Sequence, residues 1–293
     1  MTTKESNMQL PPSKQLSNLV KHYLYVESQT ASIKRFRLFT DGNTGMVFSF
    51  KNRLIAKINT FNATDELPDA FIYGQINTFK NLFCFDETAL LIVVFHPHGL
   101  NQLLGIPANE LVDEVIDLQS VSGAEGSRLT DRLFDCDNIP DRIKLIETFL
   151  IKLSKNNIAR SQQIVLSSIH HIVTYGGLKS VNELAHYTGY TSKSIDRKFM
   201  EIVGIPPKRF SNIIKQNIYL KGLRDGPKDK LTDLAFKVGY YDHSHAFKEF
   251  RKNTGVTPIQ YVGNFDALAL NLLEFPKDDL VCRPKKNKEF IKL

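Results

Sequence analysis

The stretch LTDLAFKVGYYDHSHAFKEFRKNTGVTPIQY, from Leu231 to Tyr261, decides the fold of the C-terminal half of the chain. Apolar residues at helical spacing lie on both sides of Gly239, so the stretch predicts two short helices. A glycine between them favours a tight turn, because glycine adopts a positive φ without strain. The second helix, from about Asp242 to Gly255, presents polar and basic residues opposite its apolar face. This pattern predicts a helix-turn-helix unit.

The same pattern occurs once before, in SVNELAHYTGYTSKSIDRKFMEIVGIPPKRF, from Ser180 to Phe210. Gly189 aligns with Gly239 at an offset of 50 residues, and Phe199 aligns with Phe250 at an offset of 51. The first four residues, S-V-N-E, match a capping box at the start of a helix. A repeat that keeps its glycine, phenylalanine and Gly-x-x-Pro positions in one order predicts two similar units.

Two tandem units with LA-x-x-x-GY, then F, then G-x-x-P-x-x-Y resemble the AraC/XylS family of bacterial transcription regulators over residues 161–262. The resemblance implies a DNA-binding domain of seven helices, in which a long central helix joins the two units. Pro207 to about Arg224 would form that helix, about 27 Å long at 1.5 Å per residue. Such a spacer sets two recognition helices near the ~34 Å repeat of the major groove.

The outward residues of the two recognition helices are the candidate DNA contacts. The resemblance places Lys193, Asp196 and Arg197 at base-reading positions, and Arg197 suits a bidentate pair with guanine. Asp196 either accepts from cytosine or holds Arg197 in place. The predicted base contacts are Ser192, Lys193, Asp196, Arg197, His243, Ser244, His245 and Lys248. The predicted phosphate contacts, which position without specifying sequence, are Thr191, Lys208, Arg209, Arg251 and Lys252.

The N-terminal half reads as a β-rich domain, an antiparallel barrel or sandwich that encloses a small molecule. The predicted strands are Val20–Val26, Ile33–Phe39, Met46–Phe50, Leu54–Phe61, Phe71–Asn77, Leu82–Phe85 and Leu90–Phe95. Two amphipathic helices follow, at about Gly123–Asp135 and Pro140–Leu153, and are expected to pack on the strands or on a second subunit. FTDGNTGMVFSF and FHPHGLNQLLGIPANELVDEVIDLQSVSG are similar to the N-terminal domain of a subset of AraC-type regulators, which implies a cupin-like sensory domain of unknown effector.

The predicted fold class is therefore α+β. Residues 1–155 form an antiparallel β-barrel or cupin-like domain with trailing helices, used for effector sensing or dimerisation. Residues 156–262 form an all-α domain with two helix-turn-helix units joined by a long helix, and residues 263–293 form a C-terminal extension. We expect residues 1–15 to be a loose lead-in, and the apolar stretch Phe265–Phe275 to be one helix packed on the DNA-binding domain.

The charge is uneven along the chain, at −2 over residues 1–155 and +9 over residues 156–293. A basic helical half suits neutralisation of DNA phosphates. The three cysteines, Cys84, Cys136 and Cys282, are widely spaced and favour neither a disulfide framework nor a zinc site. Without a signal peptide or an apolar run of about 20 residues, the chain is expected in the cytoplasm and not in a membrane.

These patterns favour a sequence-specific transcription regulator that is not an enzyme and needs no cofactor or metal. Its predicted partners are double-stranded DNA, a small-molecule effector and a second copy of the chain. RNA polymerase is a further predicted partner, since the family resemblance implies activation more often than repression. One alternative is a cupin-like metal-dependent enzyme with an appended helical domain, which would use the pair His96 and His98. The other is a DNA-binding protein whose N-terminal domain only dimerises.

Overall fold

The computed structural model describes residues 5–29, 33–57, 64–156, 163–225, 231–240, 242–263 and 266–275. The strands are β1 (Glu5–Leu10), β2 (Val20–Ser28), β3 (Lys34–Leu38), β4 (Thr44–Ser49), β5 (Ile55–Lys57), β6 (Thr64–Glu66), β7 (Ala70–Tyr73), β8 (Lys80–Cys84), β9 (Thr88–Phe95), β10 (Val115–Asp117), β11 (Asp266–Ala269) and β12 (Leu272–Glu274). The helices are α1 (Gly99–Leu104), a 3-10 turn (Ala108–Leu111), α2 (Leu118–Phe134), α3 (Ile139–Asn156), α4 (Gln163–Thr174), α5 (Val181–Thr188), α6 (Ser192–Ile202), α7 (Pro207–Asp225), α8 (Leu231–Lys237), α9 (His243–Thr254) and α10 (Pro258–Gly263).

The strands form two six-stranded antiparallel sheets, which we call the first and second sheets. The first has the order β1-β2-β9-β4-β7-β10, and the second has the order β11-β12-β3-β8-β5-β6. Apolar side chains from both sheets meet in one cluster, with Leu24, Val47 and Phe71 from the first and Phe36 and Cys84 from the second. The N-terminal half is thus a sandwich followed by helices, and the α+β class predicted from the sequence is confirmed.

Helices α1, α2 and α3 cover the outer face of the first sheet. Phe48 and Leu91 on that face share a cluster with Leu129 of α2 and Leu150 of α3. The first sheet is therefore buried on both faces, which explains why β9 reads as the continuous apolar run TALLIVVF and does not alternate. Helix α2 begins earlier than predicted, at Leu118, and kinks at Gly123, whose φ of 56° interrupts it.

Two segments near the ends of the chain differ from the prediction. Residues 5–10 are not a lead-in, since β1 pairs along its length with β2 at an edge of the first sheet. The stretch expected to be one helix on the DNA-binding domain is instead the hairpin β11–β12, and β12 pairs with β3 of the second sheet. The chain extends this sheet because Leu272 and Leu273 each reach a buried face, an alternation that a strand provides.

Among its described residues the helical half contains seven helices, α4 to α10, as the family resemblance implies. The core of the first helix-turn-helix unit includes Leu184, Ile195 and Phe199, while that of the second includes Val238 and Phe250. Helix α7 is 19 residues long, so it spans about 28 Å. Its first half packs in the first core and its second half in the second, and it thereby fixes the separation of the two units.

Candidate functional site

The first helix-turn-helix unit is built from local signals in the sequence. The Ser180 side chain accepts from the Glu183 amide, and the Glu183 carboxylate accepts from the Ser180 amide, so the predicted capping box is present. Helix α5 ends at Gly189, where φ is 75°. Thr191 then caps α6 by accepting from the Ser194 amide. The residues at each end of the turn therefore form hydrogen bonds with main-chain groups that a helix terminus leaves without an intrahelical partner.

Helix α6 turns a polar face to solvent. Ile195 is buried beneath it, whereas Lys193, Asp196 and Arg197 are exposed and Ser192 is half-buried. Within the part of the chain that the structure describes, no ion pair engages these three charged residues. Both roles predicted for Asp196, a contact to a base and a hold on Arg197, remain predictions.

The second unit repeats this geometry. Gly239 has a φ of 81°, and the Asp242 carboxylate caps α9 by accepting from the His245 amide at 2.7 Å. Gly255 ends α9 with a φ of 72°. The next helix, α10, opens on a reciprocal pair in which Thr257 and Gln260 each accept from the other's amide.

The polar face of α9 is the second candidate reading surface. Ser244, His245 and Lys248 are exposed on it, and the His245 ring stands edge-on to Tyr240 at a centroid distance of 5.8 Å. The side chain of His243 lies outside the described residues. Both units thus present one short, capped, polar-faced helix. This is the arrangement that a major groove accepts.

The predicted phosphate contacts divide into two groups. Lys208, Arg251 and Lys252 are exposed, and Thr191 is the cap of α6. Arg209 is half-buried and donates to the Asn77 carbonyl of the N-terminal domain at 2.7 Å, and its burial lowers the pKa of the guanidinium. A phosphate contact from Arg209 therefore requires the domains to part, and this prediction is weaker than the other four.

A cavity of about 540 Å³ lies between the two sheets. Its walls are apolar, with Phe36, Leu54, Phe71, Ile92 and Leu272 among the lining residues. The volume falls within the range typical of small-molecule sites, about 300–1,000 Å³. The sequence predicts an enclosed ligand but identifies no lining residue, because the lining comes from nine strands and the loops between them, whose apolar positions look like ordinary core.

One side of this cavity carries an ordered polar cluster. Lys80 and Asp113 both line the cavity and form an ion pair at 3.4 Å. Asp113 also accepts two hydrogen bonds from Asn77, at 2.9 and 2.6 Å. Burial alone would raise the pKa of the Asp113 carboxyl, but these hydrogen bonds and the nearby ammonium outweigh it, and the pKa lies below its usual value. Asp113 is therefore an anion at neutral pH, and it holds the Asn77 main chain.

Two side chains connect this edge of the cavity to the DNA-binding domain. The Asn77 carbonyl accepts from Arg209 of α7, as described above. Asn81, another lining residue, accepts from Arg37 Nε at 3.0 Å, and Arg37 Nη1 donates to the Gly255 carbonyl at 2.9 Å. Gly255 is the residue at which α9 ends, so the second recognition helix is linked to a cavity residue through a single buried arginine.

The histidine pair of the alternative enzyme interpretation lies away from this cavity. The rings of His96 and His98 stack with centroids 6.1 Å apart. Burial, together with the charge of His96, lowers the pKa of His98 to about 4. Over the described ranges there is no group of three or more His, Cys, Asp or Glu side chains arranged to hold a metal ion. Over the same ranges, no helix is long and apolar enough to cross a membrane.

Comparisons with known proteins give two family matches and several structural likenesses. A domain of unknown function (DUF6597) matches residues 8–117, and a helix-turn-helix domain matches residues 184–264. No curated protein matches the chain. The chain is similar to ToxT from Vibrio cholerae O395, with 11% identity, a TM-score of 0.46, and 82% of this chain and 96% of that chain covered.

It is also similar to unsaturated fatty acid-bound wild-type ToxT from Vibrio cholerae strain SCE256, with 10% identity, a TM-score of 0.46, and 82% and 94% of the two chains covered. The C-terminal domain of AraT, a response regulator from Geobacillus stearothermophilus, is similar with 20% identity and a TM-score of 0.32, over 35% of this chain and 86% of that chain.

Proposed function

We propose that this chain, a DNA-binding transcriptional regulator that resembles the AraC/XylS family, reads its operator with α6 and α9 and adjusts that reading to a small molecule held in the N-terminal cavity. The observation that carries the proposal is the duplicated, capped, polar-faced helix on either end of α7. An α7 of about 28 Å keeps the two helices within one helical repeat of DNA, which is ~34 Å.

On DNA, the exposed residues of each recognition helix face the base edges. Arg197 is the strongest candidate for sequence reading, since its guanidinium is exposed and suits a bidentate contact with guanine. Lys193, Asp196 and Ser192 join it in the first block. His243, Ser244, His245 and Lys248 form the second. Thr191, Lys208, Arg251 and Lys252 hold the sugar-phosphate chains and set the register, and Arg209 joins them only when its bond to the Asn77 carbonyl is released.

The cavity is the site where we place the effector. Its occupant biases how the N-terminal domain holds α7 and the end of α9, because Asn77 and Asn81 connect the cavity edge to Arg209 and Arg37. A ligand changes regulation only if it binds the domain-docked and the undocked forms with different affinity. The cupin-like description of the domain, activation through RNA polymerase, and a homodimer are parts of this same proposal, as is a cytoplasmic location beside the DNA.

The proposal has no catalytic role for the chain. A cupin-like enzyme would need a metal or acid–base cluster in the sandwich, and the ion pair of Lys80 with Asp113 already serves the domain contact. Binding and release of a ligand, without chemistry on it, are enough for the behaviour proposed here.

The test is selection of genomic DNA fragments by the purified full chain, followed by sequencing, for wild type, Arg197→Ala and Lys198→Ala. The two variants remove the same charge from the same helix, but Lys198 is paired with Glu201 at 2.9 Å and is not a predicted base contact. We expect one motif with two blocks about one helical turn apart.

Arg197→Ala should relax one position of the first block, at a cost of about 1–3 kcal/mol, while Lys198→Ala keeps the motif. If wild type enriches no motif at low salt, with and without cell extract as a source of effector, the regulator proposal is wrong.

A further inference from the structure

The cores of the two helix-turn-helix units are built differently. All buried members of the first core lie between Ile164 and Ile213, within α4 to α7 and the turn that precedes α7. The second core also contains Phe39 of the N-terminal domain and Leu273 of β12, both fully buried. Its aromatic centre, formed by Tyr219, Tyr240, Phe250 and Tyr261 in edge-to-face contacts, is therefore closed by residues from outside the helical half.

Phe39 directly follows β3, and Leu273 lies in β12. Phe36 and Leu38 of β3 and Leu272 of β12 line the cavity. Their neighbours Arg37 and Leu273 are directly opposite each other in the register and face the DNA-binding domain. Successive side chains of a strand point to opposite faces of a sheet. The pair β3–β12 is thus one layer of backbone thick, with the cavity on one side and the second core on the other.

Two hydrogen bonds hold the strands of this layer together, and a third joins the layer to the second unit. Phe39 and Asn271 exchange two bonds, from the Phe39 amide at 3.1 Å and from the Asn271 side chain at 3.0 Å. The Tyr261 hydroxyl donates to the Leu270 carbonyl at 3.1 Å. A movement of β12 is therefore passed to α10 and to the aromatic centre without a flexible segment between them.

The first unit touches the N-terminal domain elsewhere. Asn101 of α1 donates to the Glu201 carbonyl at 3.4 Å, and the 3-10 turn lies against Gly204. Neither Asn101 nor any residue of that turn is among those lining the cavity. The first unit has its own buried core, and the bond from Arg209 to the Asn77 carbonyl joins the cavity edge to the start of α7, not to α5 or α6.

We propose that β3–β12 is a shared wall through which an apolar ligand in the cavity regulates the second helix-turn-helix unit, α8 to α10, and leaves α5 and α6 of the first unit unchanged. This inference rests on the effector role of the cavity proposed above, and it specifies how that role is exerted. The first recognition helix keeps a constant hold on DNA. A shift of the wall moves the second recognition helix, α9, toward or away from the major groove. Occupancy of the cavity therefore changes the contact with one block of the operator.

Hydrogen exchange by mass spectrometry on the full chain tests this without an identified ligand. Ala56→Phe places an aromatic ring into the cavity from β5, which is not part of the wall, and acts as a built-in occupant. Leu273→Ala opens the second core, and Leu272→Ala is the matched leucine on the cavity side of the same strand. Ala56→Leu is the milder occupant to be used if the phenylalanine variant does not fold.

We expect Leu273→Ala to raise exchange in α8 to α10 at least tenfold, a change of about 1.4 kcal/mol in local opening, with α5 and α6 within twofold of wild type. The occupant variant and Leu272→Ala should each alter exchange in α8 to α10 by at least threefold and again spare α5 and α6. Equal changes in both units, or an occupant variant that folds and leaves α8 to α10 unchanged, would overturn the shared wall.

The two proposals fail separately. Exchange is measured without DNA, so a chain that selects no motif but shows the expected asymmetry keeps the wall and loses the regulator proposal. A chain that selects a two-block motif while both units respond together keeps the regulator proposal and loses the wall.

Discussion

Replacement of Arg37 by methionine removes the buried guanidinium that joins the second sheet to the end of α9. Arg37 is 4% exposed and donates to the Asn81 side chain at 3.0 Å and to the Gly255 carbonyl at 2.9 Å. Its guanidinium carbon also lies 4.5 Å from the centre of the Phe79 ring and 4.7 Å from that of Phe275. Methionine keeps most of the apolar volume and loses all four interactions.

The magnitude follows from these contacts. Hydrogen bonds from a charged donor contribute about 1.5–3 kcal/mol each, and each ring contact adds about 0.5–1 kcal/mol. Methionine offsets part of the loss, since it packs against the rings and removes a buried charge that required solvation. We expect the free energy of unfolding to fall by about 3 kcal/mol. Arg37→Lys should lie between wild type and methionine, because a point charge cannot serve both acceptors and stack between two rings.

The assay is urea unfolding followed by circular dichroism and by tyrosine fluorescence, the latter suited to a chain with 10 Tyr and no Trp. For a urea slope of about 3 kcal/mol per molar, the midpoint should shift down by about 1 M. Arg35→Met, on the same face of β3, is the matched control and should shift it by less than about 0.3 M. Equal shifts in the two variants, or a shift for Arg37→Met as small as that of the control, would refute the role given to Arg37.

Three further predictions are accessible to thermal melting. Gly204→Ala and Gly189→Ala both force alanine into positive φ, which costs about 1–2 kcal/mol each. A Cβ at position 204 would also lie 2.7 Å from a main-chain carbonyl oxygen of the N-terminal domain, whereas position 189 is open. The Gly204→Ala variant should therefore have the lower melting temperature, and equal melting temperatures would exclude a tight domain contact at position 204. Burial lowers the pKa of both His22 and His98 to about 4. Between pH 6.5 and 4 the unfolded chain therefore binds more protons than the folded chain, so the melting temperature should fall as the pH drops through this range. Glutamine at both positions should make the melting temperature depend less on pH. Ser180→Ala breaks the capping box and should cost about 1 kcal/mol, with Ser180→Thr close to wild type; an unchanged melting temperature for the alanine variant would contradict the role of the cap.

The sequence predicted those parts of the fold that depend on local chemistry. Gly239 and Gly189 were predicted as turn residues, and both adopt the positive φ that such a turn requires. All seven predicted strands are present, although the strand predicted at Phe71–Asn77 ends at Tyr73, and Leu54–Phe61 is confirmed only for Ile55–Lys57, since residues 58–61 lie outside the described ranges. Helix α7 ends one residue beyond the predicted Arg224. Turn residues and the apolar period are encoded over a few neighbouring positions, so they can be identified without knowledge of distant contacts.

The parts that were missed depend on long-range contacts. The hairpin β11–β12 was predicted as a helix because FDALALNLLEF is rich in leucine and alanine, and pairing with β3 overrode that propensity. Arg209 carries the charge and position of a phosphate contact, and only the fold shows that the Asn77 carbonyl engages it. Asn271, which lies in the turn between β11 and β12, was the available signal for a hairpin, but no local feature identifies a partner strand more than 200 residues away.

The hairpin also has a consequence for how the protein is made. Residues 272–274 complete a sheet whose neighbouring strand, β3, is synthesised more than 230 residues earlier. At about 5–20 residues per second, the N-terminal domain waits at least 10 s with an open sheet edge. The second helix-turn-helix unit waits for the same segment, because Leu273 closes its core. Full DNA-binding capacity therefore arises only after residue 274 has been synthesised, and a nascent chain that stops before it yields neither a closed sensor nor a complete core for the second recognition helix.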